Sequence, residues 1–221
     1  MKSSEIQERK HYGNCPKKRE SREETIIDAW RNKTGLERLP DDAQYWTICG
    51  KCSYEENVGE LEPNCEPDQI IKSGLALPSQ IHGIELEEKI YRCNVTVKNG
   101  INWHLGDFYE TIVEYANDNS FNPAIVNADM LLMPDNAARY LAKIMRFLSH
   151  NDSEVMLVSN MVEEVRHLRS TVDDFIGSLE KEPNFQYAID MANWEFVPNY
   201  YWYNGTGKTT TKMMTVILFK Q

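Results

Sequence analysis

The chain has 221 residues, 41% of them hydrophobic and 26% charged, with 24 Lys and Arg against 34 Asp and Glu. That length holds one generous domain with a full hydrophobic core, and the composition excludes a largely disordered, collagenous or low-complexity chain. The charge is uneven: residues 1–38 hold ten basic side chains against seven acidic ones, and the rest hold 14 against 27. An acidic body argues against a broad nucleic-acid footprint, while the basic start (Lys10, Lys17, Lys18, Arg19, Arg22) leaves room for a local phosphate contact.

No apolar run approaches the roughly 20 residues that cross a bilayer, so no membrane association is expected. The start, Met-Lys-Ser-Ser-Glu, has no apolar core of a secretory signal. The five cysteines (Cys15, Cys49, Cys52, Cys65, Cys93) therefore read as reduced thiols of a cytoplasmic protein, and the four Asn-x-Ser/Thr matches as chance.

Residues 1–20 are polar. Ser21 and Glu24 have the spacing of a capping box and introduce Ile26, Ile27 and Trp30 at helical spacing, which predicts a helix over 22–34 stopped by Gly35. The run 45–49 is β-prone and ends at Gly50. Residues 51–66 are acidic and turn-like, and Pro67 opens a short helix that closes at Gly74. Strands follow at 80–85, 102–107 and 123–129, each ending in an acid (Glu85, Asp107, Asp129) and each followed by a helix, over 87–94, 108–117 and 136–150. The last of these helices has the clearest pattern, with Ala137, Tyr140, Leu141, Ile144, Met145 and Leu148 on one face. A fifth strand is expected at 154–159 and a helix at 171–180. Two closing strands, 185–197 and 212–220, should be antiparallel and joined through the aromatic stretch 200–207.

Strands alternating with helices imply a parallel sheet covered on both faces. Ligands of such sheets bind beyond the carboxyl ends of the strands, where the strand order reverses. The residues that end the strands are therefore the candidate site: Cys49 and Gly50 after the first, Glu85 and Leu86 after the second, Asp107 and Phe108 after the third, Asn127 and Asp129 on the fourth. A carboxylate after the second strand suits the two hydroxyls of a ribose, and one after the third suits an adenine amine.

On these residues the sequence resembles the class I S-adenosylmethionine-dependent methyltransferases, over about residues 43–221. Ile81-His-Gly-Ile-Glu85 is similar to the family's ribose-binding second-strand motif. His104-Leu-Gly-Asp107-Phe108 is similar to its adenine motif, and Asn127-Ala-Asp129 with Pro134 to the motif beside the methyl group. The resemblance implies an α/β fold, a Rossmann-like seven-stranded and mostly parallel sheet with helices on both faces and an antiparallel C-terminal strand. It implies S-adenosylmethionine as cofactor, bound by Cys49, Gly50, Glu85, Leu86, Asp107 and Phe108, and Asp129 with Asn127 at the methyl acceptor. The chain departs from the family pattern after the first strand, where only Gly50 and Gly59 stand in place of a glycine-rich loop and Gly50 precedes Glu85 by 35 residues. Residues 1–42 form a basic N-terminal segment with one helix, a candidate lid over the cofactor mouth.

The acceptor stays open at this level. Trp194, Phe196, Tyr200, Tyr201, Trp202 and Tyr203, together with the basic start, favour nucleic acid, RNA or DNA; the acidic body favours a small molecule or protein. Nucleic acid is preferred. A partner-binding or cofactor-binding subunit without catalysis is the alternative. Cys49-Gly-Lys-Cys52 with Cys65 is a weaker pointer to structural zinc. The five histidines show no metal-binding spacing.

Overall fold

A computed structural model of the full chain describes residues 16–49, 65–116, 118, 120–132, 134–165, 168–169, 171–204 and 212–221. Gly50, the loop 51–64, Cys52 and the connection 205–211 lie outside the described residues.

The first helix, α1, runs without a break through an α stretch (Pro16–Arg22), a π stretch (Glu23–Asp28) and a second α stretch (Ala29–Thr34). It starts upstream of the expected cap. Ser21 lies buried inside it, and its carbonyl accepts from Thr25 Oγ1 at 2.7 Å, a side-chain bond that competes with the backbone ladder where the helix widens. Gly35 ends α1 in the left-handed conformation (φ 73°), as expected.

The sheet strands are β1 (Gln44–Ile48), β2 (Ile81–Glu85), β3 (Asn102–Leu105), β4 (Pro123–Leu132), β5 (Val155–Val165), β6 (Trp194–Asn204) and β7 (Lys212–Lys220). Their order is β3-β2-β1-β4-β5-β7-β6, with a two-residue strand, Leu168–Arg169, paired to the end of β5. The first five strands are parallel, and β7 is antiparallel to both β5 and β6. This is the seven-stranded, mostly parallel α/β sheet with an antiparallel last strand that the sequence implies.

Between the strands lie α2 (Glu66–Lys72), α3 (Glu88–Val97), α4 (Phe108–Tyr115), α5 (Pro134–Leu148), α6 (Val172–Leu179) and α7 (Pro183–Met191). Two apolar cores sandwich the sheet. One holds Trp46, Ile84, Val126, Leu157 and Leu218 against α4 to α7, with Ala137, Leu141, Ile144, Met145 and Leu148 of α5 at its centre. The other holds Tyr45, Ile81, Ile125, Val158, Ile217 and Phe219 under Ile26, Ile27 and Trp30 of α1 and Ile70 of α2. The helix α1 therefore packs into the same core as the sheet.

Several elements besides α1 differ from expectation: β3 ends at Leu105, short of Asp107, and β5 runs on past 159 to Val165. The stretch expected to open the sixth strand at 185 is the helix α7. Pro183 sits in its first turn, and Phe185 and Ala188 are buried at a helical spacing. The strand begins at Trp194 and runs through 200–204, so the aromatic residues are strand rather than connection. The fourth strand also continues past Asp129 to Leu132, across an irregularity in its pairing with β5.

Candidate functional site

The strand order reverses between β1 and β4, the adjacent strands from which the chain moves outward in opposite directions. Pairing across that junction fixes what faces what. Thr47 of β1 pairs with Gly83 of β2 and with Asn127 of β4, and Ile48 pairs with Ile84. Continuing those parallel registers brings Glu85, Cys49 and Asp129 level across three strands, on one face of the sheet. Beyond Asp129 the row passes to Asn160 on β5 and Thr215 on β7, and Thr215 Oγ1 donates to Asn160 Oδ1 at 2.5 Å. A polar row thus crosses five strands at the carboxyl edge, on the face that carries α1.

Glu85 ends β2 and is only 5% exposed. Its backbone carbonyl accepts from Gly106 N at 3.0 Å, which ties the ends of β2 and β3 together. Cys49 is buried beside it. Burial first, and then the charges of Glu66, Cys65 and Glu85, push the Cys49 thiol well above its ordinary range, which favours its neutral form. Asp107 precedes α4 as its N-cap: Oδ1 accepts from Glu110 N at 3.1 Å, and its carbonyl accepts from Thr111 Oγ1 at 2.7 Å. Around these acids two leucines stand in the open, Leu86 at 73% and Leu105 at 49% exposure. Phe108 does not join them; it is buried in the core beneath α4 and α5.

The two fourth-strand residues part company. Asp129 is 9% exposed and belongs to the edge row. Asn127 lies one pair deeper, fully buried, where its Nδ2 donates to Glu66 Oε1 at 2.9 Å and its Oδ1 is enclosed with no hydrogen bond among the described residues.

Glu66, the first residue of α2, is a centre that sequence reasoning missed. Its Oε1 accepts from Tyr45 Oη at 2.7 Å and Thr47 Oγ1 at 2.5 Å as well as from Asn127, and its Oε2 lies 3.1 Å from Arg22 Nε of α1. All five side chains are buried. Burial and the neighbouring Glu66 carboxylate raise the Tyr45 phenol well above its ordinary range, which keeps it a donor. Gln69 of α2 adds a bond from Nε2 to the Arg19 carbonyl at 2.7 Å. Partners 19 to 61 residues away in sequence supply Glu66 with its bonds, so no local motif announces it.

On the opposite face, His82 of β2 and His104 of β3 meet with Nδ1 and Nε2 3.1 Å apart. Their planes differ by 4° and their centroids are 5.3 Å apart, which exceeds the nitrogen separation by roughly the width of a ring. The rings therefore lie end to end in one plane. Both lie flat on Trp46, at 4.2 and 5.2 Å, while Tyr115 meets them edge-on. Among the described residues no group of three or more His, Cys, Asp and Glu gathers as metal ligands; Cys52 is not among those described. Among the described residues no helix is long and apolar enough to cross a membrane.

No family profile matches the chain, and no curated protein does. Solved structures similar to it include a SAM-dependent methyltransferase from Anabaena variabilis ATCC 29413, at 8% identity over 90% of this chain and 85% of that one, with a TM-score of 0.44. LepI in complex with SAM matches at 10% identity and a TM-score of 0.45; the match covers 88% of this chain and 46% of LepI. The N-methyltransferase NodS from Bradyrhizobium japonicum WM9 matches at 10% identity over 63% of this chain and 72% of that one, with a TM-score of 0.36.

Proposed function

We propose that this chain catalyses S-adenosylmethionine-dependent methyl transfer at the carboxyl edge of β1, β2, β3 and β4. The observation that carries the reading is the row Glu85, Cys49 and Asp129, which the parallel registers bring level at the reversal of strand order, with Asp107 capping α4 just beyond the end of β3. The site's chemistry suits the cofactor. Glu85 is an acceptor-only side chain, matched to the two donors of a ribose diol. Leu86, next in sequence to Glu85, and Leu105, the register partner of Glu85, leave apolar surface open, a surface that a purine would cover while its amine donates to the Asp107 carboxylate. The bound cofactor supplies an activated methyl on a good leaving group.

The chain's part is mainly alignment. Cys49, neutral and buried, walls the inner side, with Gly50 next in sequence. Asp129 stands where an acceptor's proton would leave, as an orienting group or general base. Asn127 holds the strand under it through Glu66. For the acceptor we retain nucleic acid. The described rim, with Glu85, Glu87, Glu88, Asp107 and Glu110, is acidic, so a phosphate backbone would approach from the side of α1, where Arg19 lies.

The test is calorimetric titration of S-adenosylmethionine and S-adenosylhomocysteine into the wild type, Glu85→Gln and Asp107→Ser. Serine keeps the helix cap and removes the charge, so lost binding is not confused with a frayed α4; alanine would lose both and cost about 1 kcal/mol of stability. Saturable binding in the wild type, weakened at least tenfold in both variants, is expected. A folded wild type that binds neither compound would refute the reading and leave the non-catalytic partner subunit. Transfer of labelled methyl to RNA, DNA or protein fractions then identifies the acceptor.

A further inference from the structure

We infer that Glu66 is the positioning residue of the crevice: its carboxylate fixes how the ends of β1 and β4 sit against each other and couples that arrangement to α1 through Arg22. The inference rests on the cofactor reading above. Thr47 and Asn127 are register partners on the two strands that flank the reversal, and both donate to the same oxygen, Oε1. A single carboxylate oxygen thus bridges the crevice directly beneath the row of Glu85, Cys49 and Asp129.

Because a carboxylate can only accept, it draws the Nδ2 of Asn127 and turns Oδ1 away, which fixes the orientation of that amide one pair below Asp129. The other oxygen faces Arg22, and Gln69 of the same short helix holds the Arg19 carbonyl. Displacing α1 therefore disturbs the crevice floor, and displacing the floor disturbs α1.

A buried ion pair is a weak device for stability, since well-packed apolar replacements are often neutral or better. Five buried polar side chains on one hub, at the ligand end of the sheet and on the face that carries α1, are better explained by geometry that the crevice needs.

The experiment compares S-adenosylhomocysteine affinity by calorimetry, well below the melting temperature, with thermal stability across a variant set. Thr47→Val removes one donor at nearly constant shape. Glu66→Gln keeps an acceptor but lets the Asn127 amide turn. Arg22→Leu with Glu66→Met replaces the whole pair by apolar side chains and guards against a Glu66→Gln that does not fold. Lys220→Met, at the far end of the sheet, is the control for lost stability alone.

The expected result is affinity weakened about threefold in Thr47→Val and at least tenfold in the two Glu66 variants, with the double variant melting near the wild type and Lys220→Met melting lower at unchanged affinity. Folded Glu66 variants that bind within twofold of the wild type would overturn the inference and leave the cofactor reading intact. A wild type that binds nothing would overturn both.

Discussion

The pair His82 and His104 should make the fold sensitive to acid, by an amount that follows from the lowered pKa of His82. An N–H···N bond between imidazoles needs one donor and one acceptor, so the pair cannot keep it when both rings are protonated. Burial, and then the charge of His104, lower the His82 pKa from 6.5 to about 4; burial lowers that of His104 too, while Glu114 opposes it. The other groups packed there, Trp46, Tyr115 and Phe121, are not cationic, and the Trp46 indole donates to Gln44.

The unfolded chain therefore binds the proton first, and stability rises with pH between these values. It is fully present above pH 6.5, falls as the pH drops towards 4, and changes no further below that on this account. At 1.36 kcal/mol per pKa unit, His82 alone costs about 2 kcal/mol between pH 7 and pH 5, and on the order of 1 kcal/mol once solvent screening of its open edge is allowed for. The measurement is urea denaturation of the wild type and of His82→Gln at pH 7 and pH 5. Comparing the two proteins cancels carboxylates that titrate in both. The variant should be less stable at pH 7 but lose less on acidification. Equal losses in the two proteins would refute the linkage.

Two further substitutions test the packing. Lys220, buried at the end of β7, donates to the carbonyls of Leu148 and Asn151 where α5 ends; burial lowers its pKa, against the pull of Asp152. Lys220→Met leaves those carbonyls without their charged donor and should cost about 2 kcal/mol in chemical denaturation, with no loss at all arguing that the bonds merely offset the buried charge. A Cβ on Gly83 would lie 2.3 Å from the Trp103 ring. Gly83→Ala should therefore destabilise by about 1–3 kcal/mol, and trimming Trp103 to Leu in the same chain should recover part of it, which calorimetric melting would read directly.

What could be read from sequence follows the range of the forces involved. The end of β2 at Glu85 and the start of α4 after Asp107 were legible because local alternation and a capping residue set them; the strand expected to run to Asp107 stops at Leu105. The helix α5 was legible because its apolar stripe repeats every turn. The helix α7 was missed although Pro183 marks its first turn, because Phe185 and Ala188 sit in a run rich in β-prone residues. Ser21 and Glu24 carried a true local signal that lost, because the chain is already helical from Pro16. Asp129 ends no strand, because β4 continues along a long β5. Glu66 and the two histidines were beyond local reading. Each acquires its partners only when parallel strands fall into register, as His82 and His104 do across 22 residues.

The two faces of the same strands make the strongest case that the polar rows are there for a ligand. Facing α4 to α7, the strands carry Trp46, Val126, Ala128, Leu157, Met214 and Val216, and Ser159 there bonds the Ala128 carbonyl. Facing α1, the alternate positions carry Thr47, Asn127, Asp129, Asn160 and Thr215. The backbone and the distance from the sheet edge are shared, so secondary structure cannot account for the difference. Nor does stability favour it, since each buried polar group must find a partner merely to offset its lost hydration. Towards the amino ends the α1 face turns apolar, with Ile81, Ile125, Met156 and Phe219. On the α1 face, the polar row is gathered at the end where an open parallel sheet takes its ligand. The helix that closes this seam is α1, held by Arg22, and it is therefore α1 whose displacement the crevice should feel.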